Sequence, residues 1–138
     1  MSGEPAKPQR ASGTRLTRVT RIALVLNAMA HGLGCVAMVS GLDPHAAGQP
    51  NMARRVAAAG FAALVMFGYV ATQLPQSPSL IVLPIAFVLA NLLDTSFELV
   101  ASRDLSYLAP GAFEATFLAI YSVYGLGWLR TRRAGSPV

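Results

Sequence analysis

Four apolar segments, each 22 residues long, follow one another with short polar turns between them, at 19–40, 53–74, 80–101 and 108–129. A helix needs ~20 apolar residues to cross a ~30 Å hydrocarbon layer, so each segment has the length of one membrane crossing. Strands do not fit: a membrane barrel shows ~10-residue segments of alternating polarity, and these runs do not alternate. The turns carry helix-stop residues, Gly41-Leu42-Asp43-Pro44 after the first segment and Pro75-Gln76-Ser77-Pro78-Ser79 after the second. Asn51 and Ser79 stand at expected N-caps, and Pro84 and Pro110 near the first turns of their helices, where proline is best tolerated. Short connections make neighbouring helices antiparallel. The expected fold is all-α, an integral membrane four-helix bundle running up-down-up-down.

Charge agrees with this reading. Only 12% of the 138 residues are charged, against ~25% in an ordinary soluble domain, too few to cover a soluble surface. The net charge of +5 would suit nucleic acid in a soluble protein, but its placement does not. Lys7, Arg10, Arg15, Arg18 and Arg21 precede or open the first apolar run, Arg130, Arg132 and Arg133 follow the last, and 56–102 contains no Lys or Arg. No basic face is left for nucleic acid, and none is expected as a partner; the expected surroundings are a lipid bilayer. Residues 1–18 read as a disordered basic tail, 19–130 as the membrane domain and 131–138 as a short basic tail. The side holding both tails has eight Lys and Arg against three, Arg54, Arg55 and Arg103, on the other. The positive-inside rule then places both termini in the cytoplasm of a cell-membrane protein. Ala28-Met29-Ala30 loosely imitates a signal-peptide cleavage site, but the apolar run continues to Val39, so an uncleaved first helix is expected. Cys35 is the single cysteine and reads as a small packing residue.

Function is sought among the polar residues within the spans, because an ionisable group in a membrane helix is costly and marks a functional hypothesis. These are His31, Asp94, Glu98 and Glu114, joined by Asn27 and Asn91. At 1.5 Å rise per residue, Asp94 lies about 5 Å beyond the middle of the third helix, Glu98 about 11 Å, and Glu114 about 7 Å beyond the middle of the fourth toward the same side. The carboxylates therefore share a layer. Asn91, Asp94 and Glu98 are spaced i, i+3, i+7, and Asn27 and His31 i, i+4. Glu114, Tyr121 and Trp128 repeat every seven residues, with Leu118 and Gly125 between. These stripes are expected to face the bundle interior and line a polar cavity between helices one, three and four. Helix two offers Tyr69 and Gln73, and a run of small residues at 57–63 suited to close packing. Tyr124 and Trp128 read as part of an interfacial aromatic belt.

A carboxyl in low-dielectric surroundings favours its neutral form, and with a neighbouring His it suits proton donation. Asp94, Glu114, Glu98 and His31 are the candidate acid–base groups, with Asn27, Asn91 and Tyr121 as candidate substrate-binding groups. The ligand types would suit a metal, but ExxH and HExxH spacings are missing, as are a P-loop and a dinucleotide fingerprint; no metal or cofactor is expected. The size and four-helix plan resemble the small multidrug transporters. Those carry an essential Glu in the middle of the first helix, where this chain has His31 and no acid, so no residue role is carried over. Three functions stand open. The first is a membrane enzyme acting on a lipophilic substrate by acid–base chemistry, of isomerase, cyclase or hydrolase type. The second is a proton- or cation-coupled transporter working as an oligomer. The third is an accessory subunit whose buried charges meet a membrane partner. The enzyme stands first, because the polar residues collect in one layer instead of continuing to the cytoplasmic side.

Overall fold

The structure, a computed structural model, describes residues 9–41 and 50–134. Its elements are α1 (Gln9–Val39), α2 (Pro50–Gln73), α3 (Val82–Ser102) and α4 (Leu108–Ala134), with 3₁₀ turns at Pro78–Ile81 and Leu105–Tyr107 leading into α3 and α4. The described residues hold four helices long and apolar enough to cross a membrane, over Thr14–Val39, Ala53–Gln73, Pro78–Ser102 and Leu105–Ala134. The protein is thus an all-α four-helix bundle whose helices suit a membrane.

Helix ends follow local chemistry. Gly41 adopts a left-handed φ of 72° past the end of α1, the backbone reversal that glycine permits at a helix C-terminus. Arg103 takes φ 56° after α3, and its N–H reaches the Leu99 carbonyl at 3.0 Å. Asp104 then accepts from the Ser106 N–H at 2.9 Å, a tight turn into α4. Pro50 opens α2, so Asn51 lies inside the helix instead of capping it, and Ser79 lies within the 3₁₀ turn. The bundle extends further along the chain than expected at both ends. Gln9–Arg18 are helical, as are residues 131–134, since arginine and alanine continue a helix readily once an apolar segment has nucleated it. Residues 1–8 and 135–138 of the expected tails lie outside the described residues, as do Asp43 and the rest of 42–49.

The helices pack as two hairpins, α1 on α2 and α3 on α4, joined mainly through α1 and α4; α2 and α3 barely touch. The core is formed by Leu24, Phe67, Val70, Leu74, Ile81, Val88 and Tyr121, all fully or almost fully buried. Most of it lies toward the end carrying Gln9 and Ala134. Toward the opposite end, α3 beyond Asn91 and α4 before Glu114 present mostly exposed or half-buried residues. Large apolar side chains cover the outside, among them Leu33, Phe97 and Val100 at 68%, 70% and 77% exposed. Such a surface would aggregate in water and suits lipid.

Small residues let α1 and α2 approach closely. A Cβ added at Gly60 would lie 3.3 Å from the His31 carbonyl oxygen, and the Cys35 thiol donates to the Ala57 carbonyl at 3.2 Å. We expect Gly60→Leu to push the two helices apart and cost about 1–3 kcal/mol. It should melt lower in detergent, whereas Gly34→Ala, with nothing within 4 Å of its added Cβ, should not. Equal melting of the two variants would show that no close approach exists at Gly60.

Candidate functional site

Most hydroxyls in the spans bond their own helix. Thr20 donates to the Leu16 carbonyl at 2.9 Å, Ser96 to Leu92 at 2.7 Å and Thr116 to Ala112 at 2.8 Å. This back-bonding satisfies them without a partner helix, which leaves the amides, the imidazole, the phenols and the carboxyls to define a site.

Among the described residues, two side-chain amides hydrogen-bond a side chain on another helix. Asn27 Nδ2 donates to the Tyr121 hydroxyl at 3.2 Å, joining α1 to α4 with both residues fully buried. Asn91 Nδ2 donates to Glu114 Oε1 at 3.5 Å, joining α3 to α4. Glu114 is 7% exposed and stands two helical turns before Tyr121 on the same face of α4. His31 is held by rings: it stacks on Phe67 at 5.5 Å, nearly parallel, and meets Phe87 edge-on at 5.3 Å. Phe67 in turn contacts Tyr121 at 6.3 Å. Asn27, His31, Asn91, Glu114 and Tyr121 thus form one contiguous group where the tight part of the core ends.

Three buried atoms in this group make no hydrogen bond: Asn27 Oδ1, His31 Nε2 and Glu114 Oε2. Unpaired buried polar atoms are expensive and call for an explanation. A cavity of about 240 Å³ is lined by His31 and Asn91 of this group, with Cys35, Gly60 and Phe87 among others. It occupies the gap where α2 and α3 fail to close on each other. At ~30 Å³ per water, it could hold a small polar head group or a few waters.

The structure corrects the expected stripe on α3. Asp94 and Glu98 are exposed on the outside of the bundle, not beside Glu114. The inward face of α3 is set by Ile81, Pro84 and Val88, and Asn91 lies at its edge. At 100° per residue, position i+3 turns back ~60°, which carries Asp94 away from the interior, and Glu98 lies on the same outer side. The buried site therefore holds one carboxyl, not three. On α4 the sevenfold repeat holds: Glu114, Tyr121 and Gly125 are buried, with Leu118 and Trp128 half-buried. Tyr124 is also buried and hydrogen-bonds Thr17, so it belongs to the interior and not to an aromatic belt. Trp128 packs under the Arg132 guanidinium, 5.3 Å from the ring centre.

Sequence reasoning missed the ring cradle of Phe67 and Phe87 and the polar line of Thr17, Thr20 and Asn27. The spacing of 3 and 7 residues along α1 was its available signal. On α2, Tyr69 is exposed and Gln73 half-buried; neither joins the group. Among the described residues no three His, Cys, Asp or Glu side chains gather as metal ligands.

No protein-family model, curated protein or solved structure matches the chain.

The Asn27–Tyr121 bond yields a direct expectation. Tyr121→Phe leaves the Asn27 amide buried without its partner, and Asn27→Leu removes the amide itself. In a double-mutant cycle the pair should couple by about 0.6–1.7 kcal/mol, the range for interhelical bonds in a membrane protein. Reversible unfolding in mixed micelles reads it out, and additive effects of the two substitutions would show that the bond contributes nothing.

Proposed function

We propose that this small multi-pass membrane protein is an enzyme that exchanges a proton with a lipophilic substrate through Glu114 and His31. The observation that carries this reading is the buried Glu114 carboxyl, with one oxygen on Asn91 and the other unpaired, while Asn91 and His31 both line the cavity. A membrane-soluble substrate would reach that cavity sideways, between α2 and α3, without entering water. Asn27, Asn91 and Tyr121 would orient its polar group by hydrogen bonds. His31 and Glu114 would supply and accept the proton. Isomerisation and cyclisation fit best, because each needs only a proton given and a proton taken, whereas hydrolysis also needs an ordered water.

Asp94 and Glu98 take a different role in this reading. An exposed carboxyl within a span is poorly served by lipid, so the outer face of α3 would meet a second copy or a partner subunit. One observation also favours the transporter reading. Polar groups do not stop at Asn27 and His31 but continue through Thr20 to Thr17 and Tyr124 near the termini. That line would serve proton passage across the bundle. On the positive-inside count, the end with the termini would face the cytoplasm.

The test uses a lipophilic carbodiimide, which attaches covalently to a neutral carboxyl in apolar surroundings. We expect the purified protein in lipid nanodiscs to be labelled at Glu114, with labelling there lost in Glu114→Gln and Asp94→Asn labelled as wild type. Labelling confined to Asp94 and Glu98 would overturn the assignment of Glu114. In proteoliposomes under a pH gradient the enzyme reading predicts no proton flux above empty vesicles. A flux abolished by Glu114→Gln would instead establish the transporter.

A further inference from the structure

A second, larger cleft lies at the end of the bundle that carries the termini. It measures about 780 Å³ and is lined by α1, α2, α4 and the turn after α2, a size typical of ligand sites. Its lining changes character along α1. Thr14, Thr17, Arg18 and Arg21 line its polar end, and Ile22, Val25 and Leu26 follow one to two helical turns beyond Arg18. From Arg18 to Leu26 is about 12 Å along the axis.

The charged end is prepared for an anion. Arg21 Nε donates to the Ala71 carbonyl at 2.9 Å, one of the carbonyls that the last turn of α2 leaves without a helical partner. That bond fixes the guanidinium while using one of its five donors. Arg18 is exposed and has no hydrogen-bond or ion partner among the described residues. Among the described residues no acidic side chain lines the cleft; Thr72 adds a hydroxyl. At the apolar end Gly68 forms an open floor, with nothing within 4 Å of where its Cβ would stand.

We infer that this cleft binds an anionic phospholipid, with its phosphate on Arg18 and Arg21 and an acyl chain along Ile22, Leu26 and Gly68. Guanidinium groups suit phosphate through paired, charge-assisted hydrogen bonds. A free anion would leave the apolar half of the cleft empty, and an uncharged lipid would leave both arginines unmatched. Only an amphiphile with a charged head satisfies both ends. The site is separate from the Glu114 group and does not depend on what that group does.

The full-length protein in phosphatidylcholine nanodiscs doped with phosphatidylglycerol tests this, with retained lipid read by native mass spectrometry. Wild type should enrich phosphatidylglycerol. Arg18→Gln should weaken that enrichment about fivefold, and because Arg18 makes no hydrogen bond or ion pair among the described residues, its melting should stay at the wild-type value. Gly68→Leu keeps both arginines but fills the floor and should weaken it as well. Arg15→Gln, one turn away on α1 and outside the cleft, should leave it unchanged. Equal losses from Arg15→Gln and Arg18→Gln would reduce the effect to diffuse surface charge and overturn the site. Unaltered binding by Gly68→Leu, or displacement of the lipid by inorganic phosphate, would overturn the lipid assignment.

Discussion

Hydrocarbon offers no hydrogen bonds, and the arrangement of this protein follows from that one constraint. Each polar group in the spans must find a partner inside the protein. Most serines and threonines meet the demand on their own helices, Thr17 with Tyr124 being an exception. Asparagine, tyrosine and glutamate cannot, so they reach across. The Asn27–Tyr121 bond is the deepest result, tying α1 to α4 where both residues are wholly buried. Because the two hairpins meet mainly along α1 and α4, this polar contact lies on the seam that makes four helices one body. Glu114 is placed by the same seam, one sevenfold step before Tyr121 on the same face of α4.

The bundle is uneven along its length, and the unevenness gives the site its character. Near the termini the core is dense with Leu24, Val70, Leu74 and Ile81. Beyond Asn91 and His31, α1 and α2 stay close at Cys35 and Ala57, while α3 and the start of α4 are exposed or half-buried, and α2 and α3 leave a gap. The unpaired atoms of Asn27, His31 and Glu114 lie at the boundary between the two regimes. A polar group deeper in the dense half would be sealed in. One further out would be lost among exposed side chains.

Much of this was legible in the residue order. Apolar length set the four spans, because crossing distance is a property of the bilayer and not of packing. Glycine and proline marked the turns. The face shared by Glu114 and Tyr121 also followed from spacing, since a seven-residue repeat returns almost to the same direction. The face of α3 did not. Asn91, Asp94 and Glu98 share one side of a helix, but periodicity fixes only their relative directions. Which side turns inward was decided by Ile81, Pro84 and Val88, whose apolar character is the same as that of residues facing lipid. In a membrane, an apolar side chain does not say whether it faces the core or the solvent. For the same reason Phe67 and Phe87 gave no sign that they would hold His31. Tyr124 was misread because an aromatic near a helix end looks alike whether it anchors to the interface or bonds Thr17.

The pairwise packing also orders events during synthesis. α1 and α2 can settle together as soon as both are made, and α3 and α4 likewise, because each hairpin finds its main contacts within itself. The seam between them cannot form so early. Asn27 and Tyr121 are 94 residues apart, so the amide in the first helix stays without its phenol until the last helix has entered the membrane. Through most of biogenesis α1 carries an unmet polar demand at the centre of the bilayer. The bonds that close the bundle, this one and that of Thr17 with Tyr124, both wait for the last helix.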